Sequence, residues 1–240
     1  MSDQFKALIL NQEGENFSRE VRSIDKSFLK HGDVTVKVDY SDLNFKDGMI
    51  LKNGGRLVKE FPHIPGIDFS GKVIESENSK FKEGDEVTFG SWGNGAFSDY
   101  VIVPENGLQL KSKSLDFKEA ASFQTAYMTA YVSLVRRGEL QPGENLLVHG
   151  ATGGVGMAAV QLGQKMGANV IATGTSVSKL KETLNWGASH YVLTHKEGGV
   201  SFRQEVKDLT EGKGADVIYD PVGGDVFDES IRCINWGGRI

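Results

Sequence analysis

The chain is poor in residues that staple or break a fold. One cysteine, Cys233, stands among 240 residues, which excludes an internal disulfide and a structural zinc site built on several thiolates. A lone thiol also fits a reducing compartment. Five prolines and no repeat period exclude collagen-like and low-complexity chains. Basic blocks are lacking too. The 27 Lys and Arg lie scattered against 32 Asp and Glu, a net charge of −5, which argues against a nucleic-acid binder working through a broad basic face. No long apolar run exists: the stretch of lowest charge, Ala120 to Val135, is broken by Ser122, Gln124, Thr125, Thr129 and Ser133. It falls short of the ~18 apolar residues a membrane span needs. Met1 to Lys6 has neither a basic stretch leading into an apolar core nor a small-residue cleavage site, so no secretory signal is read there. The expectation is a soluble, cytoplasmic protein with no membrane and no nucleic-acid partner.

What the chain has in excess is glycine, 30 of 240 residues against a usual ~7%. Without a repeat, these glycines serve tight turns and close backbone approaches. Hydrophobic residues at 39% suffice for a core, and at about 100–200 residues per domain the length predicts one large domain or two small ones.

Two halves read differently. Residues 1–115 carry strand-like runs, Lys6–Leu10, Asp33–Val38, Lys72–Glu75, Glu86–Phe89 and Asp99–Val103, with Gly84-Asp85 and Gly93-Asn94-Gly95 as turns and Pro104 closing the last strand. No regular helix is read among them, so an antiparallel β domain is expected. Residues 116–240 alternate. A helix over Phe117–Arg137 leads to the strand Asn145–Val148, then a helix with Val155, Ala159, Leu162 and Met166 on one face. The strand Asn169–Thr173, a helix with Val177, Leu180 and Leu184, a short strand Tyr191–Leu193 and a helix marked by Phe202, Val206 and Leu209 follow. Asp216–Tyr219 is a strand, and Val226–Ile234 is read as helix. That alternation predicts βαβ units on a parallel sheet, an α/β domain. Gly237-Gly238-Arg239-Ile240 reads as a turn entering a fifth parallel strand that the chain cuts short, so this second domain is expected to be truncated.

Between the first strand of that half and the next helix lies His149-Gly150-Ala151-Thr152-Gly153-Gly154-Val155-Gly156. Read as A-x-G-x-x-G, Ala151 takes the tight turn, Gly153 lets the backbone approach a pyrophosphate, and Gly156 packs helix on strand, with Thr152, Gly154 and Val155 completing the turn. Free N–H groups and the positive end of the helix dipole then face phosphate oxygens. An NAD site usually places an acid about 20 residues on. Here that stretch reads Thr173-Gly174-Thr175-Ser176-Val177-Ser178-Lys179. Gly174 leaves space, Thr175 and Ser176 offer hydroxyls and Lys179 a positive charge, which points to NADPH. The competing reading is a helix N-cap by Ser176 or Ser178 beside a solvated lysine. His195, after the third strand, is a further candidate for the adenosine phosphate, although a surface-loop role suits it as well.

These features, with Asn44-Phe45-Lys46-Asp47, Pro65-Gly66-Ile67-Asp68-Phe69-Ser70-Gly71, Phe97-Ser98-Asp99-Tyr100, Thr129-Ala130-Tyr131 and Asp220-Pro221-Val222-Gly223-Gly224, resemble the zinc-independent, quinone oxidoreductase-like branch of the medium-chain dehydrogenase/reductases. The N-terminal segment from Ser41 to Asp68 is most similar to the acrylyl-CoA reductase subgroup. The resemblance implies a GroES-like catalytic domain over 1–115, a Rossmann domain over 116–240 lacking its last strands, and a cleft for nicotinamide and substrate. It implies that Asn44, Asp47 and Phe45 form the catalytic end and that Thr125 holds the carboxamide. The competing readings are turn capping after a strand by Asn44 and Asp47 and a helix hydroxyl bonded to its own backbone at Thr125. A possible homodimer is also implied. Zinc alcohol dehydrogenases place Cys, His and Cys where this chain has Asn44, Ile67 and Thr125, so no metal is expected and the Lewis-acid route to alkoxide is excluded. What remains is hydride delivery to a small-molecule electron acceptor, a quinone or an enone. The acrylyl-CoA subgroup usually has tyrosine where Phe45 stands. The lost phenol tilts the expectation towards quinones, with Tyr127, Tyr131 or water as other proton donors. Arg56 and Lys59 are candidates for a CoA phosphate. An enoyl-CoA-type reductase and an NADPH-binding protein with little turnover are the rival expectations.

Overall fold

The computed structural model describes residues 4–29, 32–53, 57–77, 79–90 and 95–240. His31, Arg56 and the Gly93-Asn94 turn lie outside the described residues. The chain divides into two compact units, Met1–Thr125 and Ala126–Ile240.

The first unit is antiparallel. Strand β1 (Phe5–Glu13) buries Phe5, Ala7 and Ile9 and pairs with β2 (Asn16–Ile24) across a tight turn at Gly14. The sequence reading has no strand at β2 because Asn16–Ile24 lacks the alternation of a half-buried strand: only Ile24 is buried. A five-stranded sheet follows, in the order β6 (Tyr100–Val103), β3 (Val34–Ser41), β4 (Asp68–Ser76), β5 (Glu86–Gly90), β7 (Leu108–Leu110), all antiparallel. Its core is Val34, Val36, Phe69, Val73, Val87, Phe89, Val101 and Val103, alternate residues turned to one face. Strand β6 ends at Val103, where Pro104 has no N–H to continue a ladder. The expectation of no helix in this half is corrected by α1 (Phe45–Asn53). The short helix has little amphipathic pattern, so periodicity gives no sign of it. Asn44 and Asp47 start it instead, because the Asp47 carboxylate reaches back to accept the Asn44 backbone N–H at 2.9 Å, half of a capping box.

Helix α2 (Phe117–Tyr131) begins on a full capping box. Asp116 Oδ1 accepts the Glu119 N–H at 2.8 Å and Glu119 Oε2 accepts the Asp116 N–H at 2.9 Å. It runs on as a π-helical segment, Val132–Arg137, so the helical span expected from sequence is continuous.

The second unit is a parallel sheet, in the order β10 (His190–Leu193), β9 (Asn169–Gly174), β8 (Asn145–Val148), β13 (Ala215–Tyr219), β14 (Ile234–Arg239). Both faces are buried, as a parallel sheet requires. Leu146, Val148, Val170 and Ala172 join one cluster with α3 (Gly154–Lys165) and α4 (Val177–Asn185). Leu147, Ile171 and Ile218 join another with Phe202 and Val206, the latter on α5 (Arg203–Leu209). A two-residue hairpin, β11 (His195–Lys196) with β12 (Gly199–Val200), precedes α5. One expectation is corrected: helix α6 (Asp225–Ser230) stops well before Ile234, and Ile234–Arg239 is already strand, paired in parallel with β13. The Gly237-Gly238 pair hides this strand from a propensity reading, because glycine weakens a strand signal. Among the described residues no helix is long and apolar enough to cross a membrane.

Candidate active site

In the first unit three separate segments converge on one acid. Asp68, at the start of β4, is fully buried. Its Oδ1 accepts Nδ2 of Asn44 at 2.9 Å, and the Thr125 hydroxyl on α2 donates to the same carboxylate. Asn44 sits at the head of α1, where an N-cap side chain ordinarily satisfies its own helix; here its amide turns to Asp68 instead. Asp47, also fully buried, takes the Asn44 N–H. Oδ2 of Asp68 and Oδ1 of Asp47 are buried with no hydrogen-bond partner among the described residues. An orphaned buried oxygen costs about 1–3 kcal/mol, more when charged, so these two carboxyls favour a proton or a ligand's donor. Burial pushes the Asp68 carboxyl up to about 6, against the opposing Thr125 and Asn44 hydrogen bonds, with the Asp42 and Asp47 charges adding to the rise. Burial raises Asp47 too, against the Asn44 bonds.

Beside Asp47 lies a cavity of about 310 Å³ with Ile50, Leu57, Val58, Pro62 and Ile67 as its apolar lining and Lys59 among its polar residues. Phe45, the first residue of α1, is 85% exposed. Asp68 is the residue that sequence reasoning passed over, although it stands in a quoted motif. Its signal is an acid inside the apolar run Ile64-Pro65-Gly66-Ile67-Asp68-Phe69. The three positions matched to zinc ligands hold an amide, an alkyl chain and a hydroxyl, and Asn44 and Thr125 direct theirs at Asp68. Those groups do not fit a zinc centre. Among the described residues no group of three His, Cys, Asp or Glu is placed to hold a metal ion.

The second unit carries the glycine turn. Gly150 adopts φ +60°, and Ala151 is fully buried, its N–H donating to the Thr173 carbonyl at 3.0 Å. A Cβ on Gly156 would stand 2.2 Å from the Gly150 carbonyl oxygen and 2.7 Å from the Ala151 Cα, so only glycine lets α3 pack this close to the turn. Gly153 and Gly154 differ. Both are exposed; a Cβ on Gly154 would meet nothing within 4 Å, and one on Gly153 only the Gly150 oxygen at 3.4 Å. Gly153 is the N-cap of α3 and has no side chain to satisfy the helix's first N–H groups. Thr152 and Val155, to either side, are half-buried. The Gly153 N–H is taken by the Gly150 carbonyl at 2.9 Å. The N–H groups of the first helical turn, from Gly154 on, are left beside open space, an arrangement that fits a pyrophosphate.

At the end of β9, a Cβ on Gly174 would stand 3.4 Å from the Leu180 side chain, and Thr175 and Lys179 are exposed. Ser176 occupies the N-cap of α4 but its hydroxyl makes no cap bond; it lies 3.1 Å from the Ser178 hydroxyl. The capping role that competed with phosphate binding is therefore not taken up by Ser176. His195 is exposed in β11, its Nδ1 3.0 Å from the Thr194 hydroxyl, which bonds the Gly174 carbonyl.

Three further groups have structural settings. His149 is fully buried below the turn, Nδ1 2.6 Å from Thr173 Oγ1 and Nε2 2.8 Å from Ser230 Oγ, against the Phe202 ring. Burial drives its pKa down to about 4, against the pull of the Asp220 charge, so the ring is neutral. The Tyr127 phenol donates to Gln161 Oε1. Cys233 is buried, and burial pushes its thiol up to about 11.

Comparison with known proteins places the chain in a family. Residues 30–113 match the alcohol dehydrogenase GroES-like domain and residues 154–240 the zinc-binding dehydrogenase family. The chain is 35% identical, over 100% of its own length and 74% of the relative's, to the Bacillus subtilis (strain 168) protein described as "Putative quinone oxidoreductase YhfP". It is 30% identical to the acrylyl-CoA reductase AcuI of Ruegeria pomeroyi, over 98% of this chain and 73% of that protein. Among solved structures it is similar to the yhdH oxidoreductase from Salmonella enterica in complex with NADP, with a TM-score of 0.79 and 31% identity over 97% of this chain and 72% of the other.

Proposed function

The chain belongs to the quinone oxidoreductase-like branch of the medium-chain dehydrogenase/reductases and is an oxidoreductase; on that premise we propose that it uses NADPH, without zinc, to reduce a quinone or an α,β-unsaturated carbonyl. In this reading residues 1–115 are the GroES-like catalytic domain and 116–240 the Rossmann dinucleotide-binding domain. The observation that carries the reading is the open space over Gly153 and Gly154, where backbone donors at the head of α3 lack a partner side chain. Ala151 and Gly156 shape that turn. Gly174, Thr175, Ser176 and Lys179, with no acid among them, take the 2′-phosphate end, and His195 stands beside them through Thr194. The reduced nicotinamide would supply the hydride. Asn44, Asp47 and Thr125 line its end of the site, and Phe45 offers a ring face. The cavity beside Asp47, lined by apolar and charged residues alike, is of ring size, at the lower end of small-molecule pockets, which run to ~300 Å³ and above.

The test is NADPH oxidation by the purified protein with a benzoquinone and with acrylyl-CoA, side by side. Turnover favouring the quinone supports the reading, in keeping with the absence of a phenol at Phe45. Turnover favouring acrylyl-CoA moves the assignment to the second reading, an enoyl-CoA-type reductase, which the similarity to AcuI supports. Gly153→Val supplies the cofactor control: its backbone, at φ −88°, accepts a side chain, so NADPH binding is lost while the fold is kept. Binding that survives overturns the assignment of the turn.

A further inference from the structure

The proposed reaction adds a hydride to an acceptor, and a proton must follow it to a carbon or an oxygen. Phe45, next to Asn44 at the head of α1, has no proton to give. Tyr127 directs its phenol at Gln161, and burial makes it a weaker acid still. We infer that Asp68 stores this proton and passes it to the reduced acceptor through the Thr125 hydroxyl, an inference that rests on the reductase reading above.

Geometry carries the argument. Asp68 is sealed from solvent with one oxygen, Oδ2, lacking any partner among the described residues, so the site is one donor short for a carboxylate. A neutral acid needs one donor fewer. The proton to be passed on sits on the oxygen that meets Thr125, because Oδ2 has no partner among the described residues to hand it to. The charged groups that act on it are Asp42 and Asp47, both acids, and each opposes a further negative charge. Asp47, fully buried with an orphaned Oδ1 of its own, faces Asn44 from the other side, its Oδ2 on the Asn44 backbone N–H. Burial and these neighbours bring the Asp68 titration to about 6. Thr125 is half-buried and bonds the carboxyl, so a side-chain hydroxyl of a residue with accessible surface touches the sealed acid.

The transfer balances. A C–H or O–H bond forms on the acceptor as the Thr125 O–H bond breaks, and the Thr125 hydroxyl is restored as the Asp68 O–H bond breaks. Asp68 is left a carboxylate with Asn44 Nδ2 and the Thr125 hydroxyl as its donors. Water reprotonates it by the same path in reverse, giving a proton to Thr125 as the Thr125 proton passes back to Asp68. One hydride and one proton are thus added to each acceptor.

The test uses the whole chain, with Asp68→Asn and Thr125→Val. First, the infrared difference spectrum between pH 5 and pH 8 should contain a protonated-carboxyl band that Asp68→Asn removes and Thr125→Val keeps; a band unchanged in Asp68→Asn overturns the inference whether or not the protein turns over. Second, kcat with cyclohexenone should fall as pH rises through about 6. Asp68→Asn should abolish that limb and lower kcat about 100-fold, a usual share for a positioned acid. The loss with benzoquinone should be smaller, because a hydroquinone anion can take its proton from water. Thr125→Val, which keeps the acid and removes the path, should lower kcat without removing the carboxyl band. Turnover with the same pH profile in all three proteins overturns the inference alone. NADPH binding without turnover of any acceptor, by any of the three, overturns the reductase reading and the inference with it.

Discussion

Two buried polar clusters, one in each unit, are built to opposite rules. Around His149 both ring nitrogens meet hydroxyls, Thr173 Oγ1 and Ser230 Oγ, which lie 3.2 Å from the Val148 carbonyl and 2.7 Å from the Val226 carbonyl. The neutral ring has one N–H, so one hydroxyl donates to the bare ring nitrogen and the other to its carbonyl. The cluster ties the end of β8 to β9 and α6, with both ring nitrogens partnered; the unmet oxygen on this side is Oδ2 of Asp220, whose charge acts on the ring. Around Asp68 and Asp47 the count fails by one oxygen on each acid. Satisfied polar groups in a core serve the fold. Orphaned ones are a standing cost that natural proteins keep where a function uses them. Burial acts on both clusters alike, yet it neutralises the imidazole by lowering its pKa and the carboxyl by raising its own.

That contrast can be broken experimentally. The largest effect is expected from His149→Ala, which opens a cavity and strands two buried hydroxyls. It should cost roughly 3–5 kcal/mol in urea unfolding, and a loss below ~1 kcal/mol would mean that the imidazole is not a structural tie.

Stability against pH separates the clusters next. His149 folds with its pKa lowered from 6.5 to about 4. Its contribution is therefore whole above pH 6.5 and is lost as pH falls through about 4, by roughly 3 kcal/mol. Asp68 folds with its pKa raised from 3.8 to about 6. Its contribution is whole below pH 3.8 and is lost as pH rises through about 6, again by roughly 3 kcal/mol. In the native chain the two slopes oppose each other between pH 4 and 6. Asp68→Asn should expose the acid-side loss, and His149→Gln the opposite slope. Equal curves for the two variants would sink both assignments.

A smaller effect carries the sharper lesson. At pH 8 Asp68→Asn should raise stability by about 1–2 kcal/mol, because it removes a charge that burial opposes, while activity falls. Destabilisation by the same substitution would place Asp68 with His149 as a structural group. The smallest expected effect lies at the second unit's surface: Lys179→Glu should weaken NADPH about tenfold more than NADH, and equal losses in a binding titration would remove the argument for the 2′-phosphate.

Legibility followed the kind of signal each element emits. Strands β3, β5 and β6 and the βαβ units were readable, since alternation and apolar runs report burial directly. Strand β2 is nearly all exposed and α1 is short with little apolar periodicity, so neither announced itself. The fifth parallel strand was expected only after Gly237-Gly238, whereas β14 begins at Ile234 and runs through those glycines. The candidate residues of the glycine turn stood out because a phosphate cradle is made by consecutive backbone positions. The acid cluster did not, since its members come from α1, β4 and α2 and meet only after folding.

The order of residues alone therefore determined the antiparallel-then-parallel architecture, the family and the place of the glycine turn, all of which depend on local periodicity and short-range backbone geometry. Only the tertiary structure decided that the Asn44 side chain leaves its own helix for Asp68, and that Ser176 leaves its cap unmade. It also decided that two acids are sealed with an oxygen each unmet. Those are properties of solvent exclusion and of distance between segments remote in the chain, and a sequence has no local term for either.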